Sequence, residues 1–187
     1  NVKNMKWMFC GATEFNQPIG DWDVSSVEDM NGMFCGAQAF NQLIEKWDVS
    51  KVENMESIFM GAAAFNQPIG NWDVSSVEDM NGMFGTGDGG QGSEFNQPIG
   101  DWNVSKVKNM DGMFGKARAF NQPIEKWDVS KVETMESMFE GAKAFNQPIG
   151  NWDVSKVKKM NRMFHEAEAF NQPKLPGGWK LEDLKTW

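Results

Sequence analysis

Residues 52–76 read VENMESIFMGAAAFNQPIGNWDVSS, and this unit recurs through nearly the whole chain. Its seven copies start at Val2, Val27, Val52, Val77, Val107, Val132 and Val157. The spacing is 25 residues, except between Val77 and Val107, where it is 30. A fixed period of this length predicts stacked coils rather than a closed globule, because one unit cannot bury its apolar face without neighbours.

The large apolar residues fall in fixed slots of the unit. All 14 Phe lie in the slots M-F and F-N-Q, and 13 of the 14 Met lie in M-x-x-M, with Ile58 in the remaining slot. Six of the nine Trp head the W-D-V-S segment. Each of these slots therefore predicts a core layer, in which a side chain packs on its equivalent in the next coil.

Each unit predicts a short strand followed by a helix. Trp47 and Val49 alternate with Asp48, which indicates a strand with the aspartate on its exposed face. The apolar residues of 52–62 recur at i, i+3, i+6, i+7 and i+10, one stripe of a helix of about three turns. Ser50 is its expected N-cap. The predicted fold class is an α/β repeat solenoid of seven coils, with a short parallel strand and a helix in each coil.

The segment F-N-Q-P-I predicts the turn back to the next strand, since proline cannot donate to a ladder and pre-sets a turn. Asparagine fills one slot of this turn in every copy. A stacked asparagine amide can pair backbone groups of adjacent coils that burial would otherwise leave unpaired. We therefore expect a structural ladder of Asn16, Asn41, Asn66, Asn96, Asn121, Asn146 and Asn171.

The motif F-N-Q-P-I-G-x-W-D-V-S-x-V-x-x-M-x-x-M-F resembles the BspA-like leucine-rich repeat of surface proteins from bacteria, mycoplasmas and protists. Its I-x-x-W-x-V part has the form of the leucine-rich-repeat strand. The resemblance covers residues 1 to about 173. It implies a cell-surface or secreted protein concerned with adhesion or protein binding, without catalytic residues.

The departures from the repeat define the domain prediction. Residues 1–173 are expected to form the solenoid, with an insert at 85–94, and residues 174–187 a C-terminal cap. Within the insert, the candidate contact residues are Thr86, Asp88 and Gln91. The insert lacks G-K-[ST] and follows no strand, so a phosphate loop is not predicted. The chain opens in mid-pattern, which predicts that it is part of a longer parent chain.

An acidic row is the main candidate for ligand contact. It consists of Asp23, Asp48, Asp73, Asn103, Asp128 and Asp153. Strands in register would bring these side chains to about 5 Å of one another, where like charges repel. Local hydrogen bonds in the turn, a ligand-facing stripe or bound Ca²⁺ would each compensate. The row lacks the carboxylate density of Ca²⁺ loops, so no cofactor is predicted and Ca²⁺ stays an alternative.

Cys10 and Cys35 occupy the same slot in adjacent copies. If that slot lies on the helix side, the two residues are about 8–10 Å apart. A disulfide needs Cα atoms within about 7 Å. We therefore expect two free thiols or only a strained bridge.

Charge and composition disfavour several classes of function. The net charge is −8 without a basic block, which disfavours nucleic-acid binding, and no apolar run approaches about 18 residues, which predicts no direct membrane insertion. The single histidine, His165, supports no catalytic triad. The sequence thus predicts a non-enzymatic, monomeric module, at the cell surface or secreted, that binds protein or glycan ligands through its strand face. The alternative is a spacer or stalk.

Overall fold

The computed structural model describes residues 2–87, 90 and 92–185, which wind into seven stacked coils. We number them coil 1 (residues 2–26), coil 2 (27–51), coil 3 (52–76), coil 4 (77–106), coil 5 (107–131), coil 6 (132–156) and coil 7 (157–173). Adjacent coils meet in parallel single-residue bridges, which are Asn4–Asp29, Asp29–Asn54, Asn54–Asp79, Asp79–Asn109, Asn109–Thr134 and Thr134–Lys159.

Regular helices are confined to the end of the described chain. Pro176–Gly178 forms a short 3-10 turn, and Leu181–Lys185 forms the helix α1. The described residues contain no extended strand and no other helix. The predicted α/β repeat solenoid, and with it the leucine-rich-repeat architecture, is therefore wrong.

Consecutive β-turns build the segment that was predicted to be helical. In coil 2, backbone hydrogen bonds close the turns 30–33, 32–35 and 34–37. Gly32 and Gly36 adopt left-handed φ values of 60° and 70°. A left-handed residue in the third position of a turn is the mark of a type II turn, and it cannot continue a right-handed helix.

The backbone donors of this segment serve the neighbouring coil. The N–H groups of Met30, Gly32 and Phe34 donate to carbonyl oxygens of coil 3 at 3.0, 2.8 and 2.9 Å. In an α-helix these groups would bond within their own segment, four residues back. The same apolar residues point inward in either arrangement, so their spacing did not exclude the helix.

The predicted strand and helix cap are replaced by turns as well. Trp47 and Val49 are buried and Asp48 is exposed, but the backbone N–H of Trp47 bonds to the Ile44 carbonyl within the same turn. Ser50 caps no helix, because its hydroxyl donates to the Asp48 carboxylate at 2.6 Å.

An aromatic column forms the centre of the stack. The Phe34 and Phe40 rings of coil 2 lie 4.0 Å apart, and Phe34 stacks on Phe59 of the next coil at 5.7 Å. Beside them, Trp47 and Trp72 stack at 6.5 Å. These rings are almost fully buried, so the core runs the length of the stack without a break between coils.

The two ends of the stack differ. The outer side of coil 1 leaves Trp7 and Trp22 exposed by 45% and 40%, whereas Trp47, in the slot of Trp22, is exposed by 3%. At the other end, α1 covers coil 7: Leu184 is buried and its carbonyl accepts the Phe164 N–H at 3.0 Å. The predicted cap extends to Trp187, which lies outside the described residues.

Candidate binding surfaces

The acidic row is exposed and is bonded locally within each turn. Asp48 Oδ1 accepts both the backbone N–H of Ser50 at 3.1 Å and its hydroxyl at 2.6 Å. The serine two residues on donates its backbone N–H in the same way to Asp23, Asp73, Asn103, Asp128 and Asp153. One carboxylate oxygen thus fixes the turn.

These serine contacts also compensate the repulsion along the row. Hydrogen bonds from Ser50 lower the pKa of Asp48 below its ordinary value of 3.8, and the neighbouring Asp23 raises it only as a lesser cause. The pKa of Asp73 is lowered by Ser75 for the same reason. The row therefore carries full negative charge at neutral pH, repeated at the coil spacing.

The arrangement offers no preformed metal centre in the part of the chain that the structure describes, where no three His, Cys, Asp or Glu side chains converge. The Asp row presents one carboxylate per coil, and local serine donors occupy it. Bound Ca²⁺ is thus not needed to hold the row together.

The first residues of the insert still take part in the backbone hydrogen bonds between coils 4 and 5. The Thr86 N–H donates to the Gly115 carbonyl at 3.0 Å, and Thr86 is half-buried. On the far side, the Glu94 N–H donates to the Ala63 carbonyl at 3.1 Å. Asp88 and Gln91, the other two candidate contact residues, lie outside the described residues.

The asparagine ladder joins successive coils through side-chain oxygens. Asn66 Oδ1 accepts the backbone N–H of Asn96 at 2.9 Å and the side-chain amide of Gln97 at 3.0 Å. The backbone N–H bonds recur from Asn41 to Asn16, Asn66 to Asn41, Asn121 to Asn96, Asn146 to Asn121 and Asn171 to Asn146. These residues have a structural role in every coil.

A second polar row was missed in the sequence. Asp29 Oδ1 accepts the Asn31 N–H at 2.9 Å, and Asn54 Oδ1 accepts the Glu56 N–H at 2.8 Å, directly before the left-handed residue of each turn. The signal was present, since five of the seven copies carry Asp or Asn before the first Met. Asp and Asn favour turns because their side chains bond the backbone two residues on.

Two equivalent depressions lie where successive coils meet, and sequence reasoning missed these as well. The first has a volume of about 310 Å³ and is lined by Pro18, Gly20, Asp21, Gln42, Leu43, Glu45 and Lys46. The second, of about 200 Å³, is lined by the equivalents Pro98, Gly100, Asp101, Pro123, Glu125 and Lys126. In both, a coil with Gly followed by Asp (Gly20-Asp21, Gly100-Asp101) precedes a coil with Glu-Lys in the same two positions (Glu45-Lys46, Glu125-Lys126). The aspartate of one coil and the lysine of the next therefore line the same depression.

The glycine slot that lines both depressions also recurs at Gly70, where it admits the next coil. A Cβ built on Gly70 would lie 2.5 Å from the Pro98 carbonyl oxygen, closer than any side chain tolerates. In this slot the carbonyl of one coil therefore packs directly on the backbone of the previous coil. Both depressions lie where a coil with Gly in this slot is followed by a coil with Glu45 or Glu125 in the same slot.

Turn-built coils of about 25 residues, joined by backbone, asparagine and aromatic ladders, define a repeat protein whose outer surface consists of rows of equivalent side chains. Residues 1–89 and 89–186 match the family described as "Mycoplasma protein of unknown function, DUF285". The matches cover nearly the whole chain, so the protein belongs to this family. The assignment to the BspA-like leucine-rich repeats is therefore wrong. No curated protein matches the chain.

Within the described residues, no helix combines the length and the apolar character that a transmembrane span requires.

Proposed function

We propose that this protein is a non-enzymatic binding module for an extended protein or glycan ligand. One observation carries the proposal: the stack repeats an exposed carboxylate in the same slot of five coils, and a corner depression at two coil junctions, so that one ligand can meet equivalent contacts along the stack. Stacked repeats commonly use such extended surfaces for binding. The proposed location is the cell surface or the exterior of the cell.

The Asp row supplies the electrostatic part of the proposed contact. Each of its carboxylates is exposed and charged at neutral pH, as an ordinary aspartate is, and the serine donors lower the pKa of Asp48 and Asp73 further. A ligand with basic groups spaced like the coils gains one weak contact per coil, and multivalency turns several weak contacts into useful affinity. Attraction between exposed charges is screened by salt, so binding through the row weakens as ionic strength rises.

The corner depressions supply the proposed apolar and hydrogen-bonding part. Pro18 and Leu43 line the first one, with Asp21 and Lys46 at its rim. In the second, Lys126 Nζ lies 3.7 Å from Asp101 Oδ1, an exposed pair that a ligand can replace at little cost. Each depression holds a group of side-chain or single-sugar size.

Binding of the whole chain to a glycan array and to a panel of extracellular proteins tests the proposal. The informative variant is D48N/D73N, because Asn103 already forms the same turn with Ser105 in coil 4 and the variant preserves the fold. We expect weaker binding and a smaller salt dependence in this variant. Surface labelling of intact cells that make this protein tests the location.

A spacer or stalk is the second candidate, favoured by the unbroken aromatic column and backbone ladders along the stack. A spacer predicts no ligand at any salt concentration. Binding that D48N/D73N leaves unchanged, with the same salt dependence, would exclude the Asp row as the contact. Absence of binding to every array member would favour the spacer.

A further inference from the structure

Cys10 and Cys35 face each other across the junction of coils 1 and 2. The bridge between Asn4 and Asp29 sets an offset of 25 residues, and the same offset pairs the two cysteines. The Gly11 N–H donates to the Cys35 carbonyl at 2.7 Å, so the two coils are joined by a backbone hydrogen bond directly beside the cysteines. The two cysteines are free thiols, as the sequence predicted, but their slot lies on a backbone ladder and not on a helix, so the coils approach more closely there than a helix width.

The neighbouring residues show how closely the two coils approach. The Phe9 and Phe34 rings lie 5.6 Å apart at an angle of 8°, and an ideal Cβ on Gly36 would lie 3.7 Å from the Gly11 Cα. Hydrogen-bonded neighbouring segments are about 4.8 Å apart. Disulfides join residues whose Cα atoms are about 4.4–6.8 Å apart, so the spacing of this ladder is suitable.

Both thiols are free, and one of them is open to solvent. Cys10 is exposed and Cys35 is half-buried. Burial, followed by the neighbouring Cys10 thiol, raises the pKa of Cys35 to about 11. The influence of Cys10 on Cys35 is a second sign that the two side chains are in contact.

We propose that Cys10 and Cys35 form a reversible disulfide that fastens coil 1 to coil 2. The Cys10 thiolate attacks a small-molecule disulfide such as oxidised glutathione, breaking its S–S bond and releasing one thiol. The Cys35 thiolate then attacks the Cys10 sulfur of the mixed disulfide and releases the second thiol. The protein loses two protons and two electrons, and the oxidant is reduced to two thiols.

In this 187-residue chain such a bond would act on a coil with an exposed apolar side. The outer side of coil 1 leaves Trp7, Met8 and Trp22 exposed, so this coil packs against the stack on one side only. A segment with few buried contacts opens before the rest of the fold. A bond across 25 residues restricts the opened and unfolded states and thereby keeps coil 1 in place.

The test equilibrates the full chain in glutathione buffers from reducing to oxidising. Mass spectrometry and thiol titration measure the bridge, and thermal unfolding measures its effect. We expect an intramolecular bridge, with a melting temperature about 5–10 °C above that of the reduced chain. The bridge should close faster at about pH 9 than at pH 7, because the thiolate fraction of Cys35 rises.

The chain offers matched controls, since Met60, Gly115 and Glu140 fill the cysteine slot in other coils and show that it tolerates exchange. C10S removes the bridge and the stabilisation. C10S/M60C pairs Cys35 with the next coil along the same ladder and should bridge. C35S/M60C separates the thiols by two coils, about 9.6 Å, and should not bridge.

Four results would overturn the proposal. They are two titratable thiols under oxidising conditions, disulfide-linked dimers in place of the internal bond, bridging in C35S/M60C as readily as in the wild type, and equal melting temperatures of the oxidised and reduced chains. A stabilised oxidised monomer that is lost in C10S supports it. The experiment needs no ligand, so its outcome is independent of the proposed binding function.

Discussion

The indole Nε1 of Trp72 donates a hydrogen bond of 3.1 Å to the carbonyl oxygen of Ile44 in the preceding coil. The same bond joins Trp47 to Ile19, Trp102 to Ile69, Trp127 to Ile99 and Trp152 to Ile124. These residues are almost fully buried. The Trp slot therefore gives a second donor to a buried backbone oxygen that already accepts an N–H within its own turn, and so ties that turn to the next coil.

Trp72→Phe should destabilise the fold by about 2 kcal/mol, because it removes one of the two hydrogen bonds to the buried Ile44 carbonyl, which keeps only the Trp47 N–H, and removes part of a packed ring. Urea unfolding measures this change. Trp22→Phe is the matched control, since Trp22 is 40% exposed, and it should cost well under half as much. Equal losses in the two variants would mean that neither the hydrogen bond nor the burial of Trp72 adds to the stability of the fold.

Asn66→Ala should cost about 1–3 kcal/mol, because the Asn96 N–H and the Gln97 amide lose their acceptor. Asn66→Asp keeps an acceptor in the same place and should cost less. Unfolding in denaturant compares the two variants. If Asp is as damaging as Ala, the ladder depends on more than its acceptor.

Gly112→Ala tests the left-handed turn alone, because φ is +56° and an added Cβ would meet nothing within 4 Å. The expected loss is about 1 kcal/mol, from backbone strain. Ser57 holds the equivalent slot with a φ of 56°, so Ser57→Gly should be neutral or stabilise by about 0.5 kcal/mol. Thermal unfolding measures the stability of both variants. A clear loss of stability in Ser57→Gly would contradict the argument from backbone strain.

Acid should weaken the fold through the Asp row. The serine contacts lower the folded-state pKa of Asp48 and Asp73 below the ordinary 3.8, so their stabilising effect is complete well above 3.8. It is lost as the pH falls through 3.8 towards the lower folded-state value. Melting temperatures between about pH 5 and pH 3 should therefore fall less in D48N/D73N than in the wild type. Parallel curves would show that other groups control the acid response.

Part of the architecture could be derived from residue types alone. The period of the repeat is visible directly, and the Met, Phe and Trp slots that it repeats form the buried column of the structure. The turn at Asn66 could also be predicted, since Asn and Pro favour turns and a stacked amide can form hydrogen bonds to an adjacent coil.

The helix and the strand could not be derived in this way. The apolar spacing of 52–62 fits a helix as well as a run of turns, because both place the same side chains towards the core. One local signal pointed against the helix: Gly32, Gly82 and Gly112 lie within the predicted helical stripe, where each costs about 1 kcal/mol. The depressions at the coil junctions were beyond sequence reasoning, since they depend on which coils are neighbours.

The sequence by itself determined the coil length, the identity of the core layers and the polar slots that recur in every turn, because these follow from repetition and side-chain chemistry. Only the tertiary structure decided the conformation of the backbone. An N–H such as that of Gly32 can bond to its own segment or to the next coil, and the two choices give a helix or a stack of turns. That choice depends on the presence of a neighbouring coil, which no single repeat specifies.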